Sequence, residues 1–369
     1  MRRFRVLVYI GLVSILYRES RTLVELANFA GPTCRGGARR LEDYPGNVFI
    51  PVGSEPDRIC AGLSRFCELY PDSAISLLND ADFDVTDKAA KLNSVYSLRN
   101  SDAEVRAVIY DADSSPTEPL TSCHRCLVSQ QSAVYILPKY GGQRWRAQFW
   151  SGVAANQTMW SLGYERRMLR RGSLYYLVGH GLMISSQLIQ EFPFREFLPG
   201  EDVELGYRLS MAEIKPCIAQ GLDRCEAVSE LSEFLRQNER WFVGEALSLK
   251  VLWQARTVAG FRGLVRRVSG LLFWVFGPQF VAFVLIEAIR KGGFPQALLL
   301  AAIMTRVVNV MLMRKRISSE VEVNLEIRPI WVVGFVLKPI LGSVAGIGIL
   351  VRIIFRGTEF GVMPGARRV

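Results

Sequence analysis

Three long apolar runs close this chain and constrain its fold more than anything else in it. Residues 271–289, 294–313 and 330–355 each come close to or exceed the roughly twenty apolar residues with which a helix crosses a bilayer. The third is interrupted by Lys338-Pro339, and Glu287, Arg306 and Lys338 lie within the runs. Ionised groups inside a membrane are costly and usually face a partner or a watery cavity. Snorkelling near a span end is the alternative, and it suits Glu287 better than Arg306. At the other end, Met1-Arg-Arg-Phe-Arg5 precedes a twelve-residue apolar run, 6–17. That is short for a span, and no small-x-small cleavage pattern follows closely, so an uncleaved anchor or interfacial helix is expected over residues 1–30.

Half of the 369 residues are hydrophobic, yet 22% are charged, and nearly all Asp and Glu lie before residue 246. A soluble domain joined to membrane spans has that mixture, and the chain is long enough for a full catalytic core. The net charge of +10 admits nucleic acid, anionic lipid or membrane orientation as its reason. The basic residues decide between them by flanking the apolar runs: Arg2, Arg3 and Arg5; Arg262, Arg266 and Arg267; Arg314, Lys315 and Arg316. With no nucleic-acid recognition motif present, no such partner is expected. Seven cysteines, an odd number without a secreted framework, suggest a reduced, cytosol-facing domain. Cys123-His-Arg-Cys126 has half of a zinc spacing, which Cys217 and Cys225 could complete if the fold brought them close.

Residues 31–46 are a Gly-, Pro- and Arg-rich linker by composition. Strands and helices then alternate: a strand at 47–51, a helix over 59–70, a strand at 74–78 ending in Asn79-Asp80, a helix over 88–98, and a strand at 105–110. That alternation predicts a mainly parallel sheet, whose ligands sit off the carboxyl ends of its strands. Asp80 and the pair Asp111/Asp113 fall at such ends.

Two carboxylates spaced by two on an extended segment point the same way and supply hard oxygen ligands to a divalent cation. As an isolated motif, Asp111-Ala-Asp113 is more often a solvated loop pair. Glu201-Asp202 follows the turn signal Pro199-Gly200 and opens a helix, where the dipole favours ionised carboxylates. Asp202 is a candidate general base; an ordinary first-turn acid is the bland alternative. In Gln237-Asn-Glu-Arg240-Trp241, helical spacing gives Gln237 a common face with Arg240 or Trp241. Trp241 offers a flat platform for a sugar or base, and Arg240 a cation for phosphate. Gly179-His180-Gly181 would let backbone approach a ligand, or is simply a tight turn.

Taken together, these residues resemble family 2 glycosyltransferases, membrane-bound members of cellulose synthase-like and ceramide glucosyltransferase-like type. Ile50-Pro51, the acids after the second strand, Lys88-Ala-Ala-Lys-Leu-Asn93, the DxD, the glycine turn, the ED pair and QxxRW follow in the family's order. Glu201-Asp-Val-Glu-Leu-Gly-Tyr-Arg-Leu209 is close to the form EDxxLGxRL, and Phe355-Arg-Gly-Thr-Glu-Phe360 loosely to WRGxxY. The first acidic motif is compressed toward Lys88, and His180 stands where many members have a small residue.

The resemblance implies an α/β GT-A nucleotide-diphospho-sugar transferase domain with a C-terminal transmembrane helical region. The boundaries are 1–30 anchor, 31–46 linker, 47–255 catalytic and 256–369 membrane region with two to three spans. It implies an inverting, Mg2+- or Mn2+-dependent transfer from a nucleotide sugar, UDP-linked, to a lipid or glycan. Asp80 or Asp82 would contact the nucleoside, Lys88 the donor side, and Asp111 and Asp113 metal and diphosphate. Asp202 would be the base, with Gln237, Arg240 and Trp241 at the pyrophosphate and acceptor end, and Gly179, His180, Gly181 and Glu201 at the acceptor. The expected setting is the cell inner membrane, with the catalytic domain cytosolic. Alternatives are a processive polysaccharide synthase, for which a homo-oligomer would supply further spans, and an inactive partner subunit of the same fold.

Overall fold

The computed structural model describes residues 2–27, 46–52, 60–80, 87–98, 106–120, 126–136, 144–171, 174–321 and 329–356. The linker 31–45, Asp82, Cys34, Cys123 and the 357–360 end of the last sequence element lie outside them.

The first strand, β1 (Asn47–Pro51), pairs in parallel with β2 (Ala74–Leu78) on one side and β3 (Arg106–Ile109) on the other. Its neighbours α2 (Cys60–Leu69) and α3 (Lys88–Leu98) cover the two faces. A strand covered on both faces reads as an unbroken apolar run rather than an alternating one. Phe49 packs on Tyr96 of α3 edge-to-face at 5.5 Å, while Val48 and Ile50 pack with Phe66, Tyr70 and Tyr110. Each such side chain, fully withdrawn from water, contributes about 1.5–3 kcal/mol, and β1 lies in the middle of the three parallel strands.

Beyond β3 the sheet changes direction. With β4 (Ser115–Pro116), β5 (Val128–Ile136), β6 (Leu182–Ser185) and β7 (Cys217–Glu226), the order is β2-β1-β3-β6-β5-β7-β4. β6 runs antiparallel to β3 and to β5, β7 runs parallel to β5, and β4 antiparallel to β7. The mainly parallel expectation therefore holds for the first three strands and gives way to a mixed sheet. Two register facts place the site. Leu182 lies opposite Ile109, which sets the Gly179–Gly181 turn beside the end of β3. Ser115 lies opposite Arg224, which sets the loop after β3 beside the end of β7.

The layer is completed by α4 (Arg144–Trp160), a π-helical turn at Ser161–Glu165, α5 (Arg166–Arg171), α6 (Ser186–Glu191), α7 (Glu201–Met211) and α8 (Leu231–Gln254). Three long helices follow: α9 (Val258–Lys291), α10 (Gly293–Val321) and α11 (Pro329–Arg356). Over Val258–Lys291, Gly293–Ser319 and Pro329–Ile353 they are long and apolar enough to cross a membrane. The first turns of α9 are anchored to the α/β layer by Arg267. Its guanidinium lies 4.8 and 5.1 Å from the rings of Tyr176 and Tyr207, 3.6 Å from Glu245, and donates to the Leu174 carbonyl.

The N-terminal helix, α1 (Arg2–Ala27), extends well past the apolar run read from sequence. Val8 and Leu12 pack with Val284, Ala288 and Leu299, and Glu19 accepts from Arg306 at 3.1 Å and from Asn309 at 3.0 Å. Arg306 thus has the partner its position demanded. Glu287 pairs instead with Arg290 and Lys291 at the end of α9.

Cys126 and Cys217 form a disulfide joining the starts of β5 and β7, with Cα atoms 6.1 Å apart. This corrects two expectations: the chain is not wholly reduced, and Cys126 and Cys217 hold each other rather than a zinc ion. The bond also pulls against a cytosol-facing domain, since disulfides persist in oxidising compartments.

Candidate active site

The end of β3 is fixed before chemistry enters. Tyr110 and Tyr70 join hydroxyls at 2.7 Å, Tyr70 also accepts from the Leu120 amide, and the Ser114 amide closes a turn on the Asp111 carbonyl at 3.0 Å. Asp111 and Asp113 therefore project from a rigid loop. Lys88, at the start of α3, donates to Asp111 Oδ1 at 2.5 Å and to the Gly179 carbonyl at 2.7 Å. Asp87 caps that helix through the Ala90 amide, so the lysine's position is set by the helix terminus.

Gly179 is needed for what surrounds it. A Cβ there would lie 3.0 Å from Asp202 Oδ2 and 3.2 Å from Lys88 Nζ, so a side chain would force both charged groups back. Asp202 sits in the first turn of α7, where Oδ1 accepts from the Val203 amide at 2.8 Å. Gly200, left-handed at φ 84°, caps this helix and turns the chain into it.

His180 is buried. Its Nδ1 is 2.7 Å from Asp223 Oδ2, and Ser114 Oγ donates to the same oxygen at 2.8 Å. Cys225 Sγ lies 3.6 Å from the imidazole. His180, Asp223 and Cys225 could hold a metal ion by proximity. A thiol in the set suits a soft cation; Asp223 Oδ2 is shared by His180 and Ser114, while its Oδ1 is buried without a hydrogen bond.

The electrostatics couple these groups. Burial pulls Lys88 down, but Asp111, Glu201 and Asp202 outweigh it and hold the ammonium firmly protonated. Burial pushes Asp111 up, yet Lys88, His180 and Arg240 bring it below the ordinary carboxylate range. Asp113 goes the other way, raised by burial and by the charge of Asp111. Burial lowers His180, but the hydrogen bond and charge of Asp223 win and raise it to about 9. Burial and then Asp202 raise Glu201 to about 7, and Asp202 is itself raised, chiefly by burial.

Of the residues expected from sequence, the fold gathers Lys88, Asp111, Asp113, Gly179, His180, Gly181, Glu201 and Asp202 around the ends of β3 and β7 and the start of α7. Arg240 lies on an exposed face of α8, its charge reaching Asp111. Gln237 and Trp241 line a pocket with Glu226, whose amide donates to Asp113 Oδ2 at 3.0 Å. Asp80 stands at the end of β2 in an ion pair with Lys91, which also donates to the Val52 carbonyl. Three contributors were not singled out: Lys91, Ser114 and Asp223. Lys91 lay inside the quoted Lys88–Asn93 segment, and Asp223 was legible as an acid inside an otherwise strand-like run.

A sequence model described as glycosyl transferase family group 2 matches residues 108–313, from the end of β3 into the second of the long apolar helices. The chain belongs to that family and is a glycosyltransferase. No curated protein sequence matches it. Among solved structures it is similar to the mannosyltransferase PcManGT from Pyrobaculum calidifontis, determined in complex with GDP-Man and Mn2+. The identity is 13% over 92% of this chain and 95% of that one, with a TM-score of 0.43. So distant a likeness carries no conclusion about donor, metal or acceptor.

Proposed function

We propose that this chain is a membrane-inserted, inverting glycosyltransferase that moves a hexosyl or N-acetylhexosaminyl group from a UDP-sugar to a lipid or glycan acceptor. The observation that carries the reading is the junction at Lys88. One ammonium bonds Asp111 and the Gly179 carbonyl, and Asp202 approaches the same glycine from the first turn of α7. In this reading the donor-side acid Asp111 and the acceptor-side acid Asp202 flank the same lysine and glycine.

The carboxylates fit a divalent cation: two hard-oxygen groups leave one rigid loop, and Asp113 is half-buried beside the negative charge of Asp111. When bound, Mg2+ or Mn2+ at Asp111 and Asp113 would neutralise the leaving diphosphate. Arg240 adds a cation on the side facing Asp111, and Trp241 a surface for stacking. Asp202, made more basic by burial, takes the proton of the acceptor hydroxyl. The new bond from that oxygen to the anomeric carbon forms as the bond to the diphosphate breaks, and the nucleoside diphosphate leaves. The charge of Lys88 draws Glu201 and Asp202 back down against the upward pull of burial. Asp80, tied to Lys91, is the described candidate for the nucleoside contact.

The helices α9 to α11 support a membrane setting, and the few spans favour a lipid acceptor over a polymer channel. The test is release of nucleoside diphosphate from a panel of nucleotide sugars by detergent-purified protein with lipid extract, with and without Mn2+. Metal-stimulated release with a UDP-sugar is the expected result. Release from no donor by a folded sample would refute the reading.

A further inference from the structure

The last long helix, α11, meets the catalytic layer along most of its length. Near its start it touches α4 with almost no gap. A Cβ added at Gly152 or Gly334 would lie 1.9 Å from a backbone oxygen of the opposite helix, and Asn156 donates to the Phe335 carbonyl at 2.8 Å. Further on, Leu341 packs with Trp150, Val153 and Phe234, and Ile349 with Phe242 and Val243 of α8. Arg352 then pairs with Glu239 of α8. From Gly334 to Arg352 is about 27 Å of helix. A helix that left the layer to cross about 30 Å of hydrocarbon would part from it within a few turns.

Depth along the neighbouring helices gives the same answer. The turn between α9 and α10, at Lys291–Gly293, marks the far end of a hairpin. Arg266 and Arg267 on α9 and Arg314, Lys315 and Arg316 on α10 mark its near end, roughly the twenty residues of one crossing away from the turn. Among the described residues, the packing clusters, hydrogen bonds and ring contacts of α11 reach α9 only between Leu271 and Gln279. Trp274 donates to the Gly342 carbonyl at 3.1 Å, a hydrogen bond joins Gln279 to Ser343 at 3.0 Å, and Leu271 shares a cluster with Ile349. On α10 they run from Arg306, whose guanidinium lies 4.9 Å from the Phe335 ring, to Ile317. The turn stays about 18 Å or more of helix beyond these contacts. The N-terminal helix α1 differs. It starts beside the turn, with the Tyr9 and Phe294 rings 6.0 Å apart and Val8 packed with Val284 and Ala288. It ends at the catalytic layer, where Leu26 packs with Met313 and Ala155. α1 covers the full depth that α11 does not.

The two faces of α11 match a shallow placement. Lys338 and Arg352 turn toward the protein, the first lining a pocket with Gln157 and Gln237, the second meeting Glu239. On the opposite face by helical spacing, Val333, Val336, Ile340, Val344, Ile347 and Val351 form an exposed apolar stripe. We infer that α11 lies along the bilayer interface on the catalytic side, its stripe resting on acyl chains, while α1, α9 and α10 make the crossings. Lipid is the occupant because the stripe sits at the level where α9 and α10 enter the bilayer. The helix carrying Gln237 and Trp241 is then seated one helix spacing, about 8–10 Å, above the lipid-facing element. The inference stands apart from the transferase reading, since it needs neither donor nor acceptor.

The test uses the full chain in sealed membrane vesicles of uniform orientation, with a protease-cleavable tag at one end or the other. An impermeant maleimide on the exposed Cys67 reports the side of the catalytic layer. The C-terminal tag should be cleaved from the side on which Cys67 is labelled, and the N-terminal tag from the opposite side. In a background whose reactive cysteines are replaced by serine, nitroxides are then placed by Val333→Cys, Ile340→Cys, Ile347→Cys and Val351→Cys. All four should report one shallow depth, about 5–10 Å below the lipid phosphates. A C-terminal tag on the side opposite Cys67 would mean that α11 crosses, and would overturn the inference. So would a nitroxide at Ile340 far deeper than those at Val333 and Val351, the mark of a re-entrant helix. Nitroxides shielded from lipid at all four positions would give the stripe another cover and refute it too. An N-terminal tag on the side of Cys67 would remove α1 from the crossings and contradict the arrangement.

Discussion

Lys88 and Asp111 meet at 2.5 Å, joining the first turn of α3 to the end of β3. The same ammonium bonds the Gly179 carbonyl, so one cation ties three separate stretches of chain into the site. Lys88→Met should lower kcat/KM on the order of a hundredfold, because a preorganised charge is removed from among three half-buried acids. Lys88→Arg should recover only part of it, since a planar guanidinium cannot occupy the same point between two acceptors. Steady-state transfer kinetics check this, and a loss of less than about fivefold in the methionine variant would argue against it.

Glu201 and Asp202 titrate as a pair, with Glu201 raised to about 7 and Asp202 raised by burial. As the proposed base, Asp202 must be ionised to act, so activity should fall with decreasing pH over a range above that of an ordinary carboxylate. Glu201→Gln removes a neighbouring negative charge and should move that acid limb to lower pH. A pH profile of kcat/KM decides; a limb that does not move would separate Glu201 from the base.

His180 is raised to about 9 in the fold against an ordinary value of 6.5. A raised group stabilises most below its unfolded value, so this contribution is complete below about pH 6.5 and is lost as pH climbs through about 9. The melting temperature should therefore decline between pH 7 and 9.5, by roughly 3 °C or more. Asp223→Asn should flatten that decline, because the hydrogen bond and charge that raise His180 are gone. Thermal unfolding across pH is the measurement, and a slope equal to wild type would count against the pair.

Glu19 and Arg306 join α1 to α10 at 3.1 Å, with Glu19 almost wholly buried. Breaking such a pair on one side leaves an uncompensated charge, so Glu19→Gln should destabilise by about 3 kcal/mol. The exchanged pair Glu19→Arg with Arg306→Glu should regain part of it. Melting in detergent tests both, and a neutral Glu19→Gln would show that α1 is not held this way.

Cys126 and Cys217 close a loop with a sequence separation of 91. Without reductant, alkylation should spare both while labelling the exposed Cys67. Cys126→Ser should cost about 2–4 kcal/mol. Full labelling of Cys126 in native protein would restore the reduced reading.

The strands at 47–51 and 74–78 and the helix at 88–98 have the bounds read from sequence. Each is a periodic or continuous apolar stretch closed by a turn signal, which is local information. The mixed half of the sheet was not legible: β6 is four residues long and its direction depends on partners elsewhere in the chain. Asp223 escaped for the same reason. Inside a strand an acid reads as a solvent-facing residue, and only its pairing with His180, 43 positions away, gives it meaning. Arg306 was marked as needing a partner, but Glu19 lay beyond the apolar run that defined the N-terminal element.

The proposed chemistry turns on Asp202 as the base of a nucleotide-sugar transferase whose donor side is Asp111 and Asp113. The most direct measurement compares donor binding and single-turnover transfer in wild type and Asp202→Asn. Donor affinity should stay within about threefold of wild type while the transfer rate falls by at least about a hundredfold, the usual contribution of a general base. Transfer at the wild-type rate in a folded Asp202→Asn would contradict it.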